Sequence, residues 1–390
     1  MSGRDRSSHP LTRTIEAMRE IHTLDEFDRH VAAHRRLDGI VVQGVDLSDR
    51  SEMIEGITCA GATFLGARLS TAALEHVLES GAVVFPRLPE LPFDTYRARL
   101  YAQGELLDGW VPGDAASFGR DALDSKIYEW TTQHEKGSNI PVLDALAQRL
   151  HDHGIDDALA EHLGGHDDVV AVMGGHSMLR TDAAFRVVAE LGRSMAREGW
   201  HVATGGGPGA MEAANLGAWL ASHDDDALDR ALDFLAVETD FHRADVYLGA
   251  GQQVLEAFPA GTDSLAVPTW FYGHEPTNQF ATHVAKYFAN SIREDGLLAI
   301  ATRGVVFSPG AAGTTQEVFQ DATQNHYDVF GVVSPMVFLD STFWNDTLPA
   351  EPLLRTLAAD RPYAAMIGSA DTADEVMAYL RSHPPITAAG

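Results

Sequence analysis

Residues 305–317 read Val305-Val306-Phe307-Ser308-Pro309-Gly310-Ala311-Ala312-Gly313-Thr314-Thr315-Gln316-Glu317, and this stretch decides the fold of the 390-residue chain. It begins with an apolar run short enough for a buried strand, breaks at Ser308-Pro309-Gly310, and resumes as a helix. A strand, a turn of small residues and a helix N-terminus together form an anion site, because unpaired N–H groups and the helix dipole point at the turn. An ordinary strand-to-helix connection has the same features, so this stretch alone leaves both interpretations open.

Two further stretches have the same organisation. Trp200-His201-Val202-Ala203-Thr204 predicts a strand, which Gly205-Gly206-Gly207-Pro208-Gly209 and the start of a helix, Ala210-Met211-Glu212-Ala213-Ala214-Asn215, follow. Residues 169–173 predict another strand, which ends at Gly174-Gly175-His176-Ser177. Glycine-rich turns after strands are typical of a parallel sheet that binds ligands at the carboxyl ends of its strands. We therefore predict an α/β fold with a Rossmann-like, doubly wound parallel sheet.

The motifs resemble those of the Lonely-guy (LOG) family, long mislabelled as lysine decarboxylases. That family carries GGGPGxMEAAN and PGGxGTxxE, and this chain has GGGPGAMEAAN and PGAAGTTQE, with Ala311 in place of the second glycine. The resemblance covers roughly residues 168–390. It implies hydrolysis of the N-glycosidic bond of a nucleoside 5′-monophosphate to free base and ribose 5-phosphate, without a cofactor or metal, in a homodimer or higher homo-oligomer. The alternative is a sensor or carrier of the same fold that binds a nucleotide without hydrolysis.

The resemblance also implies the site residues. Glu317, the ninth residue of the second motif, is the expected catalytic carboxylate, because it can stabilise an oxocarbenium ion and activate water. The family's catalytic arginine lies fifteen residues before the motif proline, which is Glu294 here. A one-residue insertion restores Arg293, while a surface charge at a helix end is its competing interpretation; Lys286 and Arg303 are the alternative cations. The residues expected to bind substrate are Gly174, Gly175, Ser177, Gly205, Gly206, Gly207, Glu212, Gly310, Ala311, Gly313 and Thr314.

Composition narrows the class of protein. A formal net charge of −28 argues against a nucleic-acid polymer or an anionic membrane as partner, because both attract basic surfaces. The single cysteine, Cys59, lies among small apolar residues, so we expect it to be buried and the compartment to be reducing. No apolar run has membrane-spanning length, which predicts a cytoplasmic protein. The 18 histidines show no HExxH or paired-ligand spacing, so the sequence predicts no metal site.

Length favours two domains, and we place the boundary at Gly164-Gly165: residues 1–165 are an N-terminal domain of unknown role, and residues 166–390 the LOG-like domain. Within the first, residues 62–76 step by five, with small residues at 62, 67 and 72, which resembles pentapeptide repeats. The alternative is an accidental rhythm that runs into a helix over residues 72–80.

Local patterns predict several further helices and strands. Helices are predicted over residues 14–21, 24–34, 95–107, 121–135, 142–151 and 280–293, the last as a candidate dimer interface. A strand is predicted over residues 234–237, and residues 241–259 show no clear periodicity. The sequence does not identify the base or sugar of the nucleotide.

Overall fold

The computed structural model describes residues 20–88, 91–133, 140–164, 166 and 168–387. The chain forms two compact units, Met1–Ala98 and Arg99–Gly390. The helix predicted over residues 14–21 lies almost wholly outside the described residues. Among the described residues, no helix combines the length and apolar character needed to cross a membrane.

The first unit contains one parallel sheet with strand order β1-β2-β3-β4. Its strands are β1 (Glu20–Ile21), β2 (Val41–Gln43), β3 (Thr63–Leu65) and β4 (Val83–Phe85). Its helices are α1 (Leu24–His34), α2 (Ser51–Glu55) and α3 (Thr71–Glu79), with a 3₁₀ turn at Ser48–Arg50. Phe27, Val42 and Phe64 pack in its core together with Cys59. Burial, followed by the charge of Asp38, raises the pKa of the Cys59 thiol to about 11, so this residue is inert, as expected.

The five-residue rhythm of residues 62–76 is not a pentapeptide coil. Its first part forms β3 and its last part lies in α3, as the alternative interpretation predicted. The real repeat is longer, because Val41 pairs with Thr63 and Thr63 with Val83. Its sequence signal is a pair of glycines with positive φ on either side of β2 and of β3: Gly39 (69°) and Gly44 (70°), then Gly61 (68°) and Gly66 (61°).

The second unit carries the remaining elements. Its strands are β5 (Tyr101–Ala102), β6 (Val169–Met173), β7 (His201–Thr204), β8 (Ser264–Ala266), β9 (His283–Val284), β10 (Gly304–Phe307), β11 (Val332–Val333), β12 (Met336–Leu339), β13 (Ile367–Ala370) and β14 (Ile386–Thr387). Its helices are α4 (Ser117–Asp121), α5 (Leu123–Thr132), α6 (Val142–Leu163), α7 (Ala183–Arg197), α8 (Ala210–Trp219), α9 (Ala227–Leu235), α10 (Ala244–Ala257), α11 (Asn290–Ile300), α12 (Ala312–Tyr327), α13 (Ala350–Ala358) and α14 (Ala373–Ser382). Short 3₁₀ helices lie at Glu105–Leu107, Leu220–Ser222 and Pro362–Met366, and a π-helix at Phe343–Thr347.

The large sheet has the order β13-β12-β10-β6-β7-β8-β9-β5. All neighbours are parallel except β5, which runs antiparallel to β9, while β11 and β14 form a separate antiparallel pair. The chain builds outward from β6 through β7, β8 and β9, returns to the other side of β6 with β10, and continues to β12 and β13. The doubly wound α/β fold predicted from the sequence is confirmed, and the change of direction lies between β6 and β10.

Helices α7 and α8 approach each other through two glycines. A Cβ on Gly217 would lie well inside contact distance of the Ala189 carbonyl oxygen, and one on Gly192 would do the same at the Ala214 carbonyl oxygen. Helix α8 also packs against β6, β7 and β8. This close packing of two helices positions the glycine-rich turn between β7 and α8.

The predicted boundary at residue 165 is replaced by one after Ala98. Strand β5 pairs with β9 of the large sheet. Asp124, on α5, is fully buried and accepts hydrogen bonds from Lys286 Nζ and Trp270 Nε1, both at 2.7 Å. Composition did not reveal this division, because the residues that join the second unit do so through partners more than a hundred positions away.

Most predicted elements of the second unit are confirmed, three are wrong, and one helix, α10, was not predicted. Residues 280–293 are not one helix: they contain β9, and α11 begins only at Asn290, because the Asp152 carboxylate accepts the amides of Phe288 and Ala289, each at 2.9 Å. The predicted interface helix therefore does not exist, and the homodimer stays a proposal. Residues 95–107 divide into β5 and a 3₁₀ turn, residues 234–237 overlap the end of α9, and residues 241–259 contain α10.

Gly217→Ala tests the contact between α7 and α8. We expect it to lower the free energy of unfolding by about 1–3 kcal/mol, the usual cost of overpacking, because backbone atoms cannot move aside as a flexible side chain can. The matched control is Gly249→Ala on α10, where nothing lies within 4 Å of the added Cβ. That variant should gain up to about 1 kcal/mol from helix propensity. Urea denaturation of both variants measures the difference, and equal effects would contradict the packing described.

Candidate functional site

The turns after β6 and β10 meet where the chain changes direction in the sheet. The Gly175 amide donates to the Pro309 carbonyl oxygen at 3.0 Å. A Cβ on Gly174 would lie 2.5 Å from Ala210 Cβ and 3.0 Å from Ser308 Cβ, so α8 and the turn after β10 leave no room for a side chain there. A Cβ on Gly175 would lie 3.2 Å from Gly310 Cα, which is a tight contact between the turns after β6 and β10. Ser177 is exposed beside them.

The turn after β10 presents the N-terminus of α12. Ala311 is the N-cap residue, with φ −109° and no need for glycine, so its departure from the family motif creates no left-handed strain. Gly310 lies beneath Thr314, whose hydroxyl would collide with any Cβ at that position. Ala311 and Gly313 are exposed, and the N–H groups of a first helical turn have no intrahelical acceptor. The structure therefore brings the predicted anion-binding residues of this turn together.

Ser308 is a residue that the sequence analysis did not select. Its side chain is fully buried at the end of β10, and its Oγ has no hydrogen-bond partner among the described residues. Buried hydroxyls are normally paired, so an unpaired one beneath two glycine-rich turns is a candidate ligand contact.

The glycine-rich turn after β7, Gly205–Gly206–Gly207, is buried between β7 and α8. A Cβ on Gly205 would lie 2.6 Å from Arg293 Nη2, and one on Gly207 would lie 2.8 Å from Glu275 Oε2. Gly206 has φ +75° and donates its amide to Thr204 Oγ1 at 3.1 Å. This turn therefore forms the wall against which Arg293 lies.

Glu212 does not line the crevice as predicted. Its buried carboxylate accepts Arg180 Nε at 3.0 Å, Arg180 Nη2 at 2.5 Å and the Tyr247 hydroxyl at 2.6 Å. Arg180 also donates to the carbonyl oxygens of Glu238 and Tyr247, and its guanidinium lies 3.2 Å from the Tyr247 ring centroid. Glu212 therefore holds α8 in position through buried contacts with Arg180 and Tyr247. This corrects the prediction that Glu212 binds substrate.

Asn215 is a second support that sequence reasoning missed, although it ends the same motif. Asn215 is fully buried, and its Oδ1 accepts a hydrogen bond from Thr204 Oγ1 at 2.6 Å. Its Nδ2 donates to Ser264 Oγ at 3.1 Å. Asn278 Nδ2 donates to the same Oδ1 at 2.9 Å. Because Thr204 Oγ1 also holds the Gly206 amide, Asn215 fixes the conformation of the glycine turn.

Arg293 and Glu317 form the central pair of the site. Arg293 Nη1 lies 3.3 Å from Glu317 Oε1, so the structure places Arg293, and not Glu294, against the motif glutamate. The guanidinium is held in place because Nε donates to the Val267 carbonyl oxygen at 2.7 Å and Nη2 to that of Gly205 at 3.4 Å. The ends of β8 and β7 therefore fix the cation that faces Glu317.

The environment shifts the ionisation of Glu317. Burial raises the pKa of its carboxyl to about 7, Arg293 works against this rise, and the neighbouring charge of Glu294 adds to it. Glu294 itself accepts Gln316 Nε2 at 2.5 Å and lies 3.9 Å from Arg293 Nη1. A carboxyl group that titrates near neutral pH is suited to exchange protons during a reaction.

The alternative cations are occupied elsewhere. Lys286 forms its ion pair with Asp124, and Arg303 donates to the carbonyl oxygen of Leu380 at 3.1 Å. Neither belongs to the group around Glu317.

Beside the pair, a cavity of about 400 Å³ opens between α6, α11 and the segment after β8. Glu294 and Gln316 line its side nearest the pair, and Trp270, Phe271 and Phe288 supply aromatic surface. Such a volume is within the range of small-molecule sites. The glycine turns themselves lie outside this cavity.

Residues 167–222, from just before β6 through α8, match the sequence model of the SLOG cluster4 family. This match supports a LOG/SLOG type of Rossmann-like fold. No curated protein matched the sequence. Similar solved structures include the molybdenum cofactor binding protein from Rippkaea orientalis, 16% identical, with a TM-score of 0.38, over 56% of this chain and 98% of that one. The molybdenum cofactor carrier protein from Chlamydomonas reinhardtii is 17% identical, with a TM-score of 0.35, over 55% and 96%. At these TM-scores the likenesses assign no function.

Glu212→Gln tests the supporting role of the buried pair. Because the substitution leaves the Arg180 charge buried without its partner, we expect it to cost about 3–5 kcal/mol of unfolding free energy. The matched control is Glu256→Gln on α10, where an exposed Glu accepts Gln252 at 3.1 Å, and a change below about 0.5 kcal/mol is expected. Thermal and urea unfolding measure both, and a Glu212→Gln protein of unchanged stability would contradict the assignment.

Proposed function

We propose that this protein hydrolyses the N-glycosidic bond of a nucleoside 5′-monophosphate to a free base and ribose 5-phosphate. The observation that carries the proposal is the Arg293–Glu317 pair beside the N-terminus of α12, at the change of direction of a doubly wound sheet. The motif resemblance to the LOG family supports this reaction class, and the SLOG match over residues 167–222 supports the type of fold.

The phosphate would bind at the turn after β10. The N–H groups from Gly310 to Thr314 and the positive end of the α12 dipole attract an anion there. The Thr314 hydroxyl adds a donor, and the unpaired Ser308 hydroxyl lies beneath. A phosphate fixed at this point places the ribose near Glu317, one helical turn further along α12.

Cleavage needs stabilisation of positive charge on the ribose. As the C1′–N bond breaks, its electron pair leaves with the base and the ribose acquires oxocarbenium character. Ionised Glu317 stabilises that charge and accepts a proton from the water whose oxygen bonds to C1′. The departing base takes up a proton from solvent, and Arg293 keeps Glu317 oriented and partly ionised despite its burial.

The aromatic side of the cavity is the proposed place of the base. Phe271 is 43% exposed, so it offers aromatic surface on which a planar ligand could stack. Because stacking acts equally in the ground state and the transition state, Phe271 would contribute to substrate affinity, whereas Glu317 would contribute to turnover.

The proposal is tested by incubating the purified protein with a panel of nucleoside 5′-monophosphates and separating free base from nucleotide by chromatography. We expect base and ribose 5-phosphate in equal amounts from at least one substrate. The matched nucleosides without phosphate should react far more slowly, because they lack the anchor. Free lysine should not be decarboxylated.

A carrier or sensor function is the second candidate, and one observation favours it. Arg293 is already engaged by two carbonyl oxygens and by Glu317, an arrangement that suits a static binding site. Tight nucleotide binding without release of base across the whole panel would decide for this alternative and against hydrolysis.

Glu317→Gln separates the chemistry from binding. The substitution keeps the side-chain volume and removes the charge, so we expect turnover to fall by about a hundredfold or more while affinity changes little. In the unsubstituted protein kcat/KM should rise with pH through about 7, because the carboxyl of Glu317 is protonated below that pKa and ionised above it.

Glu294→Gln is the matched comparison on the neighbouring glutamate. The substitution removes the negative charge of Glu294, which raises the pKa of Glu317. The rising limb of the kcat/KM profile should therefore move to lower pH, while turnover at high pH is largely kept. An unchanged profile in this variant, or full turnover in Glu317→Gln, would show that Glu317 is not the titrating catalytic group.

A further inference from the structure

Four side chains that can bind a metal converge at the opposite edge of the large sheet. They come from His162 at the end of α6, His166 just beyond it, His201 at the start of β7 and Asp263 just before β8. One donor atom of each lies within 4.8 Å of one donor atom of every other. This cluster lies at the amino ends of the strands, whereas the glycine-rich turns lie at the carboxyl ends.

The donor atoms of the cluster lie close enough for side-chain rotations to bring them around a single ion. His162 Nε2 and His201 Nε2 are 3.3 Å apart. Asp263 Oδ2 lies 3.9 Å from His162 Nε2, 3.8 Å from His166 Nε2 and 4.0 Å from Nδ1, the other ring nitrogen, of His201. Ligand bonds of about 2.0–2.1 Å in a tetrahedron put neighbouring donor atoms about 3.3–3.4 Å apart. The donor atoms, one from each residue and within 4.8 Å of one another, therefore have to approach by roughly an ångström or less on average to enclose one ion, with His201 using one of its two nitrogens.

Asp263 is oriented for this role by its neighbours. Its Oδ1 accepts a hydrogen bond from Thr282 Oγ1 and lies 2.9 Å from His283 Nδ1. These contacts leave Oδ2 directed at the three imidazoles. A ligand whose second oxygen is held by an outer partner is the usual arrangement around protein-bound metals.

The imidazole rings of the cluster pack closely against one another. The ring centroids of His166 and His201 are 4.1 Å apart, and those of His162 and His201 are 5.1 Å apart. The three rings therefore lie on one side of the Asp263 carboxylate as a compact group of nitrogen donors.

We propose that His162, His166, His201 and Asp263 bind one first-row divalent transition-metal ion, with Zn²⁺ the best match to three imidazoles and a carboxylate. The ion connects the end of α6 to the amino ends of β7 and β8. His201 is almost fully buried, with 2% of its side chain exposed, while His166 at 31% faces solvent and gives the ion a path of entry. Since four protein ligands fill a tetrahedron, the ion stabilises the fold and takes no part in the proposed hydrolysis.

Spacing along the sequence concealed this site. His162 and His166 are four residues apart, a spacing of many metal-binding pairs that sequence reasoning overlooked. The helix ends between them, so their arrangement depends on His201 and Asp263, which lie far away in the chain and have no spacing that identifies them as ligands.

The test uses the untagged full-length protein, stripped with a chelator and titrated with Co²⁺ as a spectroscopic probe. We expect one Co²⁺ per chain with the visible absorption of four-coordinate cobalt, displaced by one equivalent of Zn²⁺, and a thermal midpoint that Zn²⁺ raises. His166→Ala and Asp263→Asn should each weaken binding at least tenfold; both residues are partly exposed, which favours retention of the fold.

The matched control is His153→Ala, an exposed histidine on the same helix α6, 69% accessible and outside the cluster. It should bind Co²⁺ as tightly as the unsubstituted protein. The proposal is overturned if the stripped protein binds no stoichiometric Co²⁺ or Zn²⁺ at micromolar concentration, in which case the cluster is a set of hydrogen-bonded neutral histidines. Equal affinity in His166→Ala, Asp263→Asn and His153→Ala would overturn it as well.

Discussion

The hydrogen bond from the Gly175 amide to the Pro309 carbonyl oxygen is the contact on which the candidate active site depends. It joins the turns after β6 and β10, two neighbouring strands from which the chain departs in opposite directions, and doubly wound sheets bind ligands at such a point. A Cβ on Gly310 would collide with Thr314, and one on Gly175 would lie only 3.2 Å from Gly310 Cα. The turn after β10 also leads directly into α12, whose first N–H groups have no intrahelical acceptor. The close packing of the turns and the proposed anion binding therefore depend on one backbone geometry.

Buried polar groups fix the positions of the helices and turns that form the candidate site. The motif GGGPGAMEAAN carries Glu212 and Asn215, and both serve the protein and not a ligand: the first pairs with Arg180, the second fixes Thr204 below the glycine turn. Desolvating an ion pair costs about as much as its attraction returns, so the benefit of the Glu212 pair lies in a defined position more than in net stability. The Asp124–Lys286 pair does the same for α5 and the segment after β9, with burial opposing and Lys286 and His274 together lowering the pKa of the Asp124 carboxyl. A sequence motif can therefore include residues that stabilise a site as well as residues that line it.

Local patterns were sufficient for β6, β7, β10, α8 and α12, because each combines a continuous apolar run or an amphipathic face with a glycine turn or cap. They failed over residues 280–293, where the apolar spacing arises from burial of β9 between two strands and the start of α11 is set by Asp152, far away in the chain. Glu317 and Arg293 were found through the family resemblance, yet the contacts that hold Arg293, from Val267 and Gly205, depend on the ends of two other strands. The histidine cluster depends on three separate segments of the chain. What sequence reasoning lacked in each case was the pairing of distant residues.

The proposed reaction imposes an electrostatic conflict that the Arg293–Glu317 pair resolves. A chain with a formal charge of −28 repels a nucleotide phosphate at long range, although salt limits that repulsion to about 8 Å at physiological ionic strength. Within the crevice the conflict is sharper, because a bound phosphate disfavours ionisation of a carboxyl that burial has already shifted to a pKa of about 7. A protonated Glu317 would favour binding but could neither stabilise an oxocarbenium ion nor accept a proton from water. The Arg293 guanidinium, fixed by two backbone carbonyls, lowers the cost of ionising Glu317 without moving toward the phosphate. Strand ends that hold one cation rigidly therefore allow a single site to keep a phosphate and an ionised carboxylate together.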